Sequence, residues 1–179
     1  MNLKPQDVLV ALKLASTSGV GWSYPALVVA LNLSLGELHK SIKRLTAAGL
    51  YNENTRAVRR GALEEFLIHG VKYAFPLERG GVMRGIPTAW ATSPLKEKLI
   101  DTSELPPIWP YPEGTVQGQS WTPLYASVPE AALKDPALHE VLALLDAIRG
   151  GSARERNLAV DLLRERLKNK PELPIVALG

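Results

Sequence analysis

The sequence predicts a mainly α chain with one small β-hairpin, an α+β class, and three observations lead there. Apolar residues recur at helical spacing in several segments, each opening on a capping residue or a proline. One pair of short apolar runs flanks a glycine-containing loop, as in a hairpin. Between residues 103 and 129 six prolines exclude long helices and central strands and set the last two helices apart from the rest.

Pro5, with Gln6 and Asp7 beside it, predicts a first helix running to Ser16, with Val8, Leu9, Leu12 and Ala15 on its apolar side. Ser23 or Tyr24 caps a second, short helix with Pro25 in its first turn and Ala26, Leu27, Val29, Ala30 and Leu31 packing inward. Asn32 and Leu33 make a turn. Ser34 and Glu37 have the spacing of a capping box, so a third helix runs from 34 to 48 with Leu35, Leu38, Ile42 and Leu45 as its apolar stripe. Gly49 stops it, because glycine adopts positive φ without steric cost.

Residues 59–70 predict another short helix through Leu63, Phe66, Leu67 and Ile68. Residues 71–75 and 86–91 then pair as the hairpin, with residues 76–85 as a flexible basic tip carrying Arg79 and Arg84. Pro94, Leu95 and Leu99 predict one or two further helical turns. The proline-rich stretch holds Trp109, Tyr111, Trp121 and Tyr125, more aromatic surface than a disordered linker keeps, and is expected as an ordered arm packed on its own or a second subunit. Asp135 and Pro136 open a helix to Gly150 with Leu138, Val141, Leu142, Leu145 and Ile148 inward; Ser152 and Glu155 form a second capping-box spacing and start the last helix, with Leu158, Leu162 and Leu167. The expected division is residues 1–102, an arm over 103–132, and a helical hairpin over 133–179, expected as the element for dimerisation or for binding a partner.

Composition narrows function. The chain has no cysteine, which excludes disulfides, thiol catalysis and cysteine-held metals and fits a reducing cytoplasm. No apolar run reaches the length of a signal peptide or membrane span, so the expected location is cytoplasmic with no membrane partner. His39, His69 and His139 lack metal-ligand spacing, and Glu64 and Glu65 point about 100° apart on a helix, away from the facing geometry of paired acid–base catalysis. Catalytic residues, metal and cofactor are therefore expected to be none. Residues 1–100 hold 13 Lys+Arg against 7 Asp+Glu, while residues 101–179 hold 8 against 11, so a polyanionic partner would meet the first part.

Helix, short helix, tight turn and a longer helix ending in Ala48-Gly49-Leu50 is a helix-turn-helix pattern. Opposite the apolar stripe of the third helix, the wheel places Gly36, Lys40, Lys43, Arg44 and Ala47: a bare first turn to approach a groove, and cations to meet phosphates and guanine edges. Through residues 33–50 the chain resembles winged helix-turn-helix regulators of the broad MarR-like group, from about Pro5 to Tyr51 and more weakly to Ala91. The resemblance implies a transcriptional regulator, expected as a repressor and homodimer on double-stranded DNA. The candidate contacts are Ser34, Gly36, His39, Lys40, Lys43 and Arg44 on the third helix, Arg56, Arg59 and Arg60 just beyond it, and Arg79 and Arg84 on the loop. In that group the wing follows the recognition helix at once, whereas here a helix over 59–70 is expected to intervene. The alternative is an antitoxin-like module that binds a partner protein through the arm and the C-terminus, where residues 174–178 could add a strand to a partner's sheet.

Overall fold

The computed structural model describes residues 1–17, 21–99 and 104–168. Three helices come first, α1 (Pro5–Ser16), α2 (Tyr24–Leu31) and α3 (Leu35–Ala47), followed by a minimal antiparallel ladder of β1 (Tyr51–Asn52) and β2 (Ala57–Val58). Next come α4 (Arg60–His69), α5 (Val71–Ala74), strand β3 (Arg79–Pro87) and a 3-10 turn at Ala89–Ala91. Strands β4 (Pro107–Pro110) and β5 (Val116–Trp121) precede α6 (Val128–Lys134), α7 (Pro136–Gly150) and α8 (Ala153–Lys168). The chain is thus mainly helical with small sheets, an α+β fold, and no helix among the described residues is long and apolar enough to cross a membrane.

The helix ends follow local chemistry. Ser34 Oγ accepts from the Glu37 amide while Glu37 Oε2 accepts from the Ser34 amide, each at 3.2 Å, and Gly49 ends α3 at φ +77°. Asp135 caps α7 through the Leu138 amide, and Ser152 and Glu155 close the second box at the start of α8. The apolar side predicted for α7 is all buried, but the burial spreads further: every residue from Val141 to Ile148 is inside. This helix packs against α1, α5, α6, α8 and the 3-10 turn, so its own chain surrounds it.

A single carboxylate in α7 ties the layers together. Asp146 Oδ2 accepts from Thr88 Oγ1 at 2.7 Å and from Trp109 Nε1 at 2.6 Å, and Oδ1 accepts from Arg149 at 2.9 Å. Burial pushes the Asp146 carboxyl up, against the opposing pull of the Arg149 guanidinium and the two neutral donors. Arg149 Nε in turn donates to the Phe75 carbonyl at 2.8 Å, which holds the end of α5 to the same point.

The second buried charge lies between α1 and α3. Arg44 Nε and its terminal nitrogen each donate to an Asp7 carboxylate oxygen at 2.7 Å, and Asp7 is 0 % and Arg44 8 % exposed. Asp7 Oδ2 also accepts the Lys4 amide at 2.8 Å, so the same carboxylate closes the start of α1. The hydrogen bonds to Asp7 raise the Arg44 pKa above its ordinary value.

Strand β3 runs antiparallel to both β4 and β5, and β4 runs parallel to β5, closing a three-stranded barrel. The strands cross so closely that a Cβ on Gly85 would lie 1.9 Å from the Trp109 carbonyl oxygen. Residues on both sides of the expected division at 102 thus share one sheet.

Several expectations change here. Residues 71–74 form helix α5 rather than part of a strand over 71–75: Gly70 stays in the right-handed region (φ −110°, ψ −40°), so the chain continues helically and only Val71 is buried. The supposed loop over 76–85 is mostly β3, because β5 supplies an edge some thirty residues later. Of 86–91, the first two residues finish β3 and the last three form the 3-10 turn; around Pro94 the chain makes a short helical turn, with the Lys96 and Leu99 amides bonded four residues back and Leu95 buried, as expected there. The arm packs into its own core, with Trp109 0 % and Trp121 3 % exposed, and it continues into α6, which periodicity did not reveal. Ala26 and Val29 of α2 and Leu35 of α3 face outward instead of packing.

Two predictions follow from the buried charges. Asp7→Ala or Arg44→Ala should each cost about 3–5 kcal/mol in urea unfolding, because the surviving charge stays buried and unpaired, whereas Asp7→Leu with Arg44→Met should recover most of that loss. Trp109→Phe keeps the ring but removes one donor to Asp146, and should cost roughly 1.5–3 kcal/mol by the same measurement.

Candidate nucleic-acid interface

Helix α3 has two unlike sides. Leu38, Ser41, Ile42 and Leu45 face the core with Arg44, while Ser34, Gly36, His39, Lys40, Lys43 and Ala47 are exposed. A Cβ on Gly36 would meet nothing within 4 Å, so the first turn of the helix is open to an approaching surface. Among the described residues neither Lys40 nor Lys43 has an ion pair or a side-chain hydrogen bond. His39 stacks on Tyr24 with ring centroids 4.0 Å apart, which fixes the imidazole over the end of α2. The Ser34 backbone N–H holds the Glu37 carboxyl below its ordinary pKa, so Glu37 serves as a charged cap at the positive end of the helix.

The approach to α3 is braced from the far end of the chain. Asn32 takes the left-handed conformation, φ 52°, that the tight turn between α2 and α3 requires, and its Nδ2 donates to Glu130 Oε2 of α6 at 2.6 Å. Lys134 Nζ donates to the Val29 carbonyl at 2.9 Å, and the Tyr125 hydroxyl donates to Glu37 Oε1 at 3.3 Å. Reading the sequence did not find these supports, because their partners lie about a hundred residues away.

The ladder of β1 and β2 follows α3 directly, with Tyr51 opposite Val58 and Asn52 opposite Ala57. Asn52 Oδ1 organises the turn by accepting the Asn54 and Thr55 amides at 3.0 and 3.4 Å. Arg56 completes the turn at φ 51°; its guanidinium lies 4.6 Å over the Trp22 ring and donates to the Trp22 carbonyl at 3.1 Å, while Trp22 Nε1 returns a bond of 3.1 Å to the Arg56 carbonyl. Arg59 follows, exposed. This hairpin replaces the one expected over 71–75 and 86–91. Its signal was the cluster Asn52-Glu53-Asn54-Thr55, which has turn composition flanked by residues able to pair.

Three of the arginines expected at the interface are committed elsewhere. Arg44 is buried against Asp7 and is absent from the exposed face, because α1 presents a carboxylate to that flank of α3. Arg60 donates to the Ala15 carbonyl at 2.7 Å and the Leu167 carbonyl at 2.9 Å, joining the ends of α1 and α8. Arg79 lies 4.8 Å over the Trp121 ring and donates to the Gly150 carbonyl, so it is not a mobile loop tip. Arg84 is exposed, but on β3 opposite Gln117. The structure thus leaves Ser34, Gly36, His39, Lys40 and Lys43 on one helix face, with Arg59 exposed at the hairpin after it and Arg56 there too, held against Trp22 much as Arg79 is held against Trp121. Among the described residues no group of three His, Asp or Glu side chains is placed to hold a metal ion.

Comparison with known proteins finds no matching family model, no matching curated protein and no matching solved structure.

Proposed function

We propose that residues 5–58 act as a winged helix-turn-helix that binds duplex DNA, with α3 in the major groove and the β1–β2 hairpin as the wing, and that the chain is a sequence-specific transcriptional regulator. The observation that carries this reading is the outward face of α3, where an open first turn at Gly36 is followed by two exposed lysines that make no close ion pair or side-chain hydrogen bond among the described residues. Such a face can approach base edges while the ammonium groups meet phosphates. Arg56 and Arg59 lie where a wing contacts the backbone, and Trp22 holds Arg56 in place.

A homodimer on two half-sites is the assembly this reading expects, since one recognition helix makes few base contacts. Because α7 is enclosed by its own chain, α8 is the part of the C-terminal hairpin able to meet a second copy. The partner-protein reading gains no observation of its own: the arm is spent in the barrel and in α6, and residues 174–178 lie outside the described residues.

Lys40→Ala with Lys43→Ala should unfold at the wild-type midpoint and should weaken binding to a mixed-sequence duplex, measured by fluorescence anisotropy across a salt series. The slope of log K against log salt should become shallower by about 1–2 units as up to two phosphate contacts disappear. An unchanged affinity and slope in a folded double variant would overturn the assignment of α3 as the DNA-binding helix.

A further inference from the structure

A groove of about 410 Å³ runs between the residues before α1, the end of α3 and one side of α4. Leu3, Ala48, Leu50, Ala62 and Phe66 supply its apolar walls, with Glu65 and His69 beside them. Ala62 and Phe66 stand one turn apart on α4, away from Leu63 and Leu67, which are buried in the core. The Phe66 ring lies over Gly70, where an added Cβ would come within 2.8 Å of Cδ2. Leu50 is buried, but Leu3, Ala62 and Phe66 are only half-buried and Ala48 is exposed, so the groove keeps apolar surface in water.

The sequence after α8 supplies an occupant, and the place where α8 ends puts it within reach. Arg60, the first residue of α4, donates to the Leu167 carbonyl at 2.9 Å, so residues 169–179 follow on beside the start of the helix that walls the groove. Leu173-Pro174-Ile175-Val176-Ala177-Leu178 is an unbroken apolar run. Pro171 and Pro174 oppose a continuation of α8 and favour extended backbone at the residues before them. At about 1.5 Å per residue, Phe66 lies roughly 9 Å and His69 roughly 14 Å along α4 from Arg60. Residues 169–174 can span up to about 20 Å when extended, which carries Ile175 and Val176 round the helix to that level. The way round is open at Gly61, which is exposed and where an added Cβ would meet nothing within 4 Å. Charge agrees, since Glu65 is exposed beside the groove and Lys170 precedes the run.

We propose that residues 173–178 dock in this groove of their own chain as an extended segment, with their aliphatic side chains against Phe66, Ala62 and Leu3. Docking takes two apolar surfaces out of water at once, the run and the groove. Ala48 and Leu50 flank Gly49, so the docked segment also meets the chain where α3 ends. The proposal stands independently of DNA binding.

The chain has no cysteine, so Gly179→Cys accepts a single nitroxide just beyond the run. In the isotope-labelled full chain the oxidised nitroxide should broaden the amide resonances of Leu3, Ala48, Phe66 and His69 relative to the reduced label. Adding Ile175→Asp and Val176→Asp should remove most of that broadening, because a carboxylate is not retained in an apolar groove. Mixing spin-labelled chain that carries no isotope with isotope-labelled chain that carries no nitroxide should give no broadening. Equal broadening with and without the two aspartates would overturn the proposal, since tethering beside Arg60 would then account for it. So would no broadening at the groove, or broadening that appears in the mixture, which would seat the segment on a second copy.

Discussion

The bidentate pair between Asp7 and Arg44 sets which way α3 is turned, and the candidate interface depends on that rotation. At about 100° per residue, His39 and Arg44 sit on opposite flanks of the apolar stripe, each able to go in or out. Asp7 draws Arg44 inward, and Tyr24 takes His39 on the outer flank. The arc between them, Gly36, Lys40, Lys43 and Ala47, is what remains for a partner. The same carboxylate accepts the amide that opens α1, so one buried charge orders both the first helix and the one proposed to read DNA. The net stability of such a pair is small, since apolar residues of similar shape would often hold the helices as well.

Asp146 has the corresponding role in the other half. It receives the indole of Trp109 and the hydroxyl of Thr88, and so anchors β4 and the 3-10 turn to the helix at the centre of the fold. This anchoring is how a proline-rich stretch becomes core: prolines occupy both ends of β4, where the loss of an N–H is tolerated, and the aromatic residue between them is fully buried. The chain then returns through Tyr125 and α6 to brace the turn before α3, so the barrel and the proposed DNA-binding face are parts of one packed body.

Much of the helical structure was legible in the residues, because helix signals are local. Pro5, the Ser34–Glu37 box, Gly49, Asp135 with Pro136 and the Ser152–Glu155 box each act within one turn of the residue that carries them, and the apolar sides of α1, α7 and α8 repeat at helical period. The exposed positions of Gly36, His39, Lys40 and Lys43 were legible for the same reason.

The tertiary structure alone decided the rest. Residues 79–87 become a strand because β4 and β5 arrive some twenty to forty residues later, and residues 71–74 stay helical because α4 leads into them and Val71 packs inward. Short apolar runs of this kind suit either state until a partner is present, since a strand's hydrogen bonds are made to another segment and a helix's to itself. Charged residues follow the same rule. Nothing within a turn of Arg44, Arg60 or Arg79 distinguishes them from Lys40 or Lys43; what separates them is the Asp7 carboxylate, the Ala15 and Leu167 carbonyls and the Trp121 ring, each brought alongside by the fold. A long cation is held against the protein only where distant chain supplies an acceptor or a ring to meet it, inward for Arg44 and along the surface for Arg79, and that supply is a property of the packed chain.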